Sequence, residues 1–271
     1  MALSSLPPLK NSLRETLDYF ARFDYPLTPD ELWFWQHDTS FSKEKIEKLF
    51  NSLGQLEIRN SREKFSQPKW KIAYRVGERL SRIPFIEAIF VTGALAMSNC
   101  PEDDDIDLMI IASPHTLWLA RFLVHLSLGS LRRRPSLPHT SPLSSNKICD
   151  NLYLDTNNLI VHEHSIYTAH EILQTKCIFD RGGIHRLFLE SNSWAKSYLP
   201  IAYSESLKKF ENLKIKKLFG IWDLGFGYLF VPVNLIAFVL QYLYMRSKMT
   251  SERVSWGYAF FHPGSDKTRR P

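Results

Sequence analysis

Two carboxylates separated by one apolar residue, Asp105 and Asp107, open the apolar run 106–112, and an earlier apolar run closes at Gly93. Side chains of an extended strand alternate between faces, so both carboxylates project from the same side. Like charges held that close repel one another unless a cation lies between them. A hard divalent ion that takes oxygen ligands and keeps part of its water shell, Mg2+ or Mn2+, suits such a pair, and nucleotide phosphates would complete its coordination. The chemistry expected here is metal-assisted work on a phosphate.

The neighbouring segments must position these groups. Residues 89–92 read as a short buried strand, Gly93 as the turn that ends it, and residues 94–97 as the opening of a helix whose N–H groups face an anion. Gly93 and Ala94 are therefore the candidate phosphate contacts, and residues 106–112 form the second strand. Residues 116–131, rich in Leu and Phe but interrupted by Arg121 and His125, are expected as a buried helix crossing the sheet. The stretch 132–146, RRRPSLPHTSPLSSN, reads as an exposed loop near the site, either one whose arginines close over a nucleotide or a plain disordered connector. KICDNLYLD, residues 147–155, is the next strand and should lie beside the Asp-x-Asp strand.

This order of strand, glycine, helix, acidic loop and Asp-x-Asp strand resembles the active-site motif of the nucleotidyltransferase superfamily typified by DNA polymerase beta. Small members of that superfamily run Gly-Ser-x-Ala and then Ser-Asp-Ile-Asp-Leu, and Ala96, Ile106 and Leu108 also fit the pattern. Two residues depart from it. Ala94 stands where Ser is usual, which removes a hydroxyl from the phosphate site, and Asp104 stands where Ser commonly precedes the first aspartate. The resemblance implies an α+β (mixed α/β) fold with a small mixed sheet, and catalytic, metal-holding roles for Asp105 and Asp107. It also implies a third carboxylate on the 147–155 strand. Asp150, Asn151 and Asp155 compete for that role, and Asp150 is favoured because it lies near the strand start, as Asp105 and Asp107 do. A third carboxylate would hold a second metal or take the proton of an attacking hydroxyl.

Residues 167–171, 244–246 and 259–263 further resemble segments of a bacterial nucleotidyltransferase family in which a winged helix precedes these motifs. The implied function is a metal-dependent transfer of a nucleoside monophosphate from a nucleoside triphosphate to an unidentified acceptor, with release of pyrophosphate. The alternative is a nucleotide-sensing, non-catalytic protein whose winged helix engages DNA or a protein partner.

With 271 residues the chain can form one large or two ordinary domains. The expected organisation is a winged-helix-like domain over 1–75, a nucleotidyltransferase domain over 76–200, and a helical C-terminal section with a basic tail over 201–271. In the first module Leu13, Leu17 and Phe20 recur at helical spacing, Thr28-Pro29-Asp30-Glu31 is a helix start, and Ser42 opens a third helix carrying Ile46, Leu49 and Phe50. Residues 55–59 and 70–74 read as the strands of a hairpin. The third helix would then present Lys43, Lys45 and Lys48 to DNA, with Glu44 and Glu47 interrupting the positive face.

The net charge of +6 combines an acidic cluster at 102–107 with bases at 132–134, at 208–217 and in the tail, an arrangement that suits a polyanionic substrate. Cys100, Cys149 and Cys177 form no C-x-x-C pair and suggest neither a disulfide framework nor a zinc site. The N-terminus lacks the continuous apolar core of a signal peptide, so a reducing cytoplasm is the expected compartment. His162, His164 and His170 read as structural or surface groups, because Gln174 stands where a zincin-like pattern needs a second His. Residues 227–245 carry no formal charge and are long enough to span a membrane, with Arg246 and Lys248 as a positive flank, whereas Pro232, Asn234 and Gln241 within them argue for a buried helix.

Overall fold

The computed structural model describes residues 11–52, 62–133, 142–211, 226–247, 249 and 253–261. In chain order the elements are α1 (Asn11–Ala21), α2 (Pro29–Trp35), α3 (Lys43–Ser52), α4 (Glu63–Leu80), β1 (Ile86–Val91), α5 (Gly93–Ala96), β2 (Ile106–Ala112) and α6 (Leu117–Leu128). They continue with β3 (Ile148–Asp155), α7 (Ile166–Gln174), β4 (Lys176–Asp180), α8 (Ile184–Ser191), α9 (Pro200–Lys208), α10 (Phe226–Leu229), α11 (Val231–Arg246), β5 (Arg253–Val254) and β6 (Tyr258–Phe260). Two compact units emerge, one from Met1–Ser61, His162–Leu173 and Asn192–Leu213, the other from Arg62–Val161, Gln174–Ser191 and Lys214–Pro271. Neither unit is one contiguous block of sequence.

The first unit is helical. Thr28 opens α2 with a capping box: its side chain accepts from the Glu31 N–H at 3.2 Å, and the Glu31 carboxylate accepts from the Thr28 N–H at 2.9 Å. Such a reciprocal cap satisfies two donors that a helix start otherwise leaves open. Leu13, Phe20, Leu32, Trp35 and Ile46 fill the interior, at the helical spacing visible in the sequence. His170 of α7 joins them, fully buried and stacked on Tyr19 with ring centroids 3.9 Å apart. Burial pushes its imidazole well below the ordinary histidine range, so it packs as a neutral ring. Lys43 on α3 is engaged by Asp30 at 2.9 Å.

The expected hairpin is corrected by α4. Residues 70–74 form no strand; they lie within an 18-residue helix, while residues 55–59 lie outside the described residues. The alternation of Trp70, Ile72 and Tyr74 resembles a strand over five residues, but Ala73, Val76 and Leu80 are the buried apolar positions, and their spacing is helical. α4 lies tight on β4 at Gly77, where an added Cβ would come within 2.8 Å of the Ile178 side chain.

The second unit carries a six-stranded mixed sheet in the order β4-β1-β2-β3-β6-β5, which makes the protein an α+β chain. Only the β2–β3 pair is parallel among the strands named; β1 runs antiparallel to β2 and β4, and β6 antiparallel to β3 and β5. β1 and β2 are covered on both faces, which is why they read as continuous apolar runs. Phe90 meets Phe188 of α8 at 5.8 Å between ring centroids, whereas Ile89 and Ile110 belong to the core that also contains Trp118 of α6 and Tyr153. Burying each such side chain contributes roughly 1.5–3 kcal/mol.

The C-terminal section is not purely helical. Ala259 pairs with Tyr153 and is fully buried, so the aromatic run at 258–260 extends the sheet. The reading of 227–245 is also amended. α11 is a 16-residue helix in which Asn234 is buried, yet Leu235, Ile236, Leu240 and Leu243 are all about half exposed or more. No helix among the described residues is long and apolar enough to cross a membrane.

Candidate functional site

The site forms where β2 leaves the acidic loop. Asp105 and Asp107 lie on the same side as the alternation requires, and with the Cys149 thiol they offer ligand atoms within 4.8 Å of one another. Asp105 is buried, whereas Asp107 is partly open. Gly93 adjoins Asp107 directly. The glycine has φ +63°, and a Cβ there would meet the Asp107 Oδ2 at 2.7 Å, so both backbone sterics and proximity demand glycine. The Thr92 N–H donates to the Asp107 carbonyl at 3.0 Å and fixes this turn against the start of β2. α5 after it is a single turn, with the Asn99 N–H donating to the Ala94 carbonyl at 2.9 Å.

Helix α4 holds the acidic loop in place. The buried Lys69 ammonium donates to the carbonyls of Glu102 at 3.0 Å and Asp104 at 2.7 Å, and Ser66 accepts from the Cys100 N–H at 3.0 Å. Trp70 donates from its indole to the Ser98 hydroxyl at 3.2 Å. A loop of consecutive carboxylates gains a defined path because backbone acceptors along it are met from one helix face. Burial, then the neighbouring Asp105, pushes the Asp104 carboxyl above the usual range.

Arg133 was expected in an exposed loop, but its guanidinium is buried and pairs with Asp105 at 2.7 Å, with a further contact to the Cys149 sulfur at 3.4 Å. A positive charge thus already lies against the acidic pair. Arg132 is also turned inward, whereas residue 134 and those up to 141 lie outside the described residues.

The third carboxylate is where the structure departs most from expectation. Asp107 and Cys149 are register partners across the parallel β2–β3 pair. It is Asn151 that reaches the pair, donating from Nδ2 to the Asp107 Oδ1 at 2.8 Å. Asp150 is not brought to Asp105 and Asp107. Its carboxylate, buried, accepts from Arg132 at 2.6 Å, from Tyr153 at 2.8 Å and from the His125 ring at 2.8 Å. Burial works to raise its pKa, but hydrogen bonding from His125 and the charges of Arg132 and Arg121 prevail, holding it well below the usual carboxylate range. Asp155 lies at the far end of β3 and accepts from the Asn157 N–H at 3.0 Å and the Asn158 amide at 2.7 Å.

The carboxylates of Asp105 and Asp107 offer the oxygen donors that a hard divalent ion takes. Cys149 does not add to that fit: burial, then the charges of Asp107 and Asp105, push its thiol far above the ordinary value and keep it neutral. Lys69 and Cys149 have no part in the site expected from sequence, and Arg133 appears there only among the loop arginines that could close over a nucleotide. Arg133 was visible only as part of a basic run, and Lys69 gives no local signal, since its acceptors lie more than thirty residues away. No family model matches this chain, and no curated protein sequence matches it.

Proposed function

We propose that the second unit binds a nucleoside triphosphate through a divalent ion, Mg2+ or Mn2+, and transfers its nucleoside monophosphate to an acceptor. The observation that carries this reading is the convergence of the Asp105 and Asp107 carboxylates beneath the Gly93 turn. It is the arrangement implied by the resemblance to the polymerase-beta-like nucleotidyltransferases. An acceptor hydroxyl would attack the α-phosphorus, the bond to the bridging oxygen would break, and pyrophosphate would leave. A bound ion would offset charge on the phosphates. Asp105 and Asp107 would hold that ion, the lack of a Cβ at Gly93 would leave room for the phosphates, and Asn151, bonded to Asp107 at 2.8 Å, orients that carboxylate. A divalent ion there would compete with the Arg133 guanidinium for Asp105, 2.7 Å away, and phosphate oxygens would offer that guanidinium another acceptor.

A second reading is favoured by one specific observation. Cys149 and Asn151 flank the pair on β3, where the resemblance calls for a carboxylate, and neither a neutral thiol nor an amide accepts a proton as a carboxylate does. On that reading the unit binds a nucleotide without turning it over. Calorimetry with each nucleoside triphosphate, with and without Mg2+, together with an assay of pyrophosphate release, separates the two. Metal-dependent binding with pyrophosphate release, both lost in Asp105→Ala with Asp107→Ala, supports transfer. Binding without release supports the sensor, and equal behaviour of wild type and double variant overturns both.

A further inference from the structure

α6 and α11 form a pair whose inner contacts are polar and specific. The Asn234 side-chain oxygen accepts from the Trp118 and Leu119 N–H groups, both at 2.9 Å, and so caps the start of α6. Gln241 donates to the Trp118 carbonyl at 2.8 Å and accepts from Arg121. These bonds fix the rotation of α11, because turning it would strand buried polar groups. Its other face is therefore held outward by design of the sequence.

That outward face is apolar along its length. Ile236 is 60 % exposed, Leu240 63 % and Leu243 52 %, while Leu126 of α6 is 64 % exposed. Scattered exposed aliphatic residues need no explanation, but a row of them along one fixed helix face does. The chain has 28 acidic residues, yet none falls in 108–149 or in 224–251, the stretches that contain both helices. Arg246 supplies a cation in the last turn of α11.

We infer that the outer face of α11 docks on the surface of a bilayer containing anionic lipid. Three features select this occupant. The polar side chains Asn234 and Gln241 point inward, which leaves aliphatic and aromatic side chains along the described outer face. A protein partner needs polar groups to fix its register, typically about one hydrogen bond per 100–200 Å² of interface, whereas a fluid hydrocarbon phase needs none. Tyr228 and Tyr244, each 69 % exposed, add amphipathic rings to the segment, and such rings suit the boundary between headgroups and hydrocarbon in which a helix lying flat would rest. The absence of carboxylates and the Arg246 cation complement a negative surface. A helix of 16 residues extends about 24 Å, short of the roughly 30 Å hydrocarbon core, so it would lie in the plane of the interface. This inference is independent of the nucleotide site.

Flotation of the full-length protein with vesicles tests it, comparing phosphatidylcholine alone with phosphatidylcholine containing phosphatidylglycerol over a salt series. The expected result is flotation with the anionic vesicles, weakened by salt, and reduced by about tenfold or more in Ile236→Glu with Leu240→Glu. Both positions are exposed, so the melting transition of this variant should match wild type. Arg246→Glu should lower flotation only with the anionic vesicles. The inference is overturned if the protein fails to float with either vesicle type, or if light scattering shows a dimer that the same double variant dissociates while flotation is unchanged. It is equally overturned if flotation persists undiminished in the double variant.

Discussion

Asp107 and Asp150 lie near the starts of the two central, parallel strands of the sheet, yet they are opposite kinds of carboxylate. Asp107 is partly open, touches Gly93 and Asn151, and has a second carboxylate within reach. Asp150 is closed off and surrounded by Arg132, His125 and Tyr153. A buried charge whose lone pairs are already satisfied supports the fold, whereas carboxylates left beside one another retain an appetite for a cation. The residue type is identical in the two places. What differs is the face of the strand from which it projects and what packs there.

The largest break of this contrast should come from Asp150→Ala. Removing the carboxylate leaves Arg132 and the buried Tyr153 hydroxyl without their acceptor, and breaking such a buried pair typically destabilises by about 3–5 kcal/mol. Urea unfolding should show that loss, while the fraction that remains folded keeps its metal-dependent nucleotide binding. The same carboxylate gives a pH dependence. Because its folded pKa lies below the ordinary 3.8, its stabilisation is fully present above that value and is lost as pH falls below it toward the folded pKa. Wild type should therefore lose stability in this acid window more steeply than Asp150→Asn, as followed by unfolding midpoints. Equal slopes would mean that Asp150 is not the charged group the geometry describes.

Gly93→Val attacks the other half of the contrast. The left-handed backbone and the 2.7 Å approach to Asp107 both oppose a branched side chain, with strain of order 1–3 kcal/mol. Calorimetry should show loss of metal-dependent nucleotide binding by about tenfold or more, with a smaller fall in stability than for Asp150→Ala. Binding at wild-type strength would detach the Gly93 turn from the site.

The smallest expected effect sharpens the picture. Arg133→Gln removes the guanidinium that competes with a divalent ion for Asp105, so Mn2+ titrated without nucleotide should bind about threefold to tenfold more tightly, a change of roughly 1 kcal/mol. Weaker Mn2+ binding would instead make Arg133 a prop for the acidic pair.

Much of this region is legible in the sequence. β2 spans the residues the apolar pattern indicated, β3 lies beside it, and the Thr28 cap and the helix carrying Trp118 form where their residues suggest. The errors share a cause. At 70–74 a short aromatic alternation imitated a strand, and only the longer spacing of Ala73, Val76 and Leu80 against the sheet shows the helix. At 150–151 the choice between Asp150 and Asn151 depends on which of them faces Asp107, and β3 shifts its register against β2 at this point, which no local pattern shows. The basic run at 132–134 looked solvated because nothing nearby in sequence could pair with it.

The sequence by itself determined what is local: an Asp-x-Asp pair projecting from one side of a strand, a turn that only glycine enters easily, and an acidic loop between them. Period and backbone sterics act over a few residues, so these features need no distant partner. Tertiary structure decided the partners of that pair, setting Asn151, Cys149 and Arg133 around it, bracing its loop from Lys69, and turning Asp150 away. The register of two strands joined by a long connection is chosen by packing across the whole sheet, and a shift of one residue would exchange every side chain between its faces.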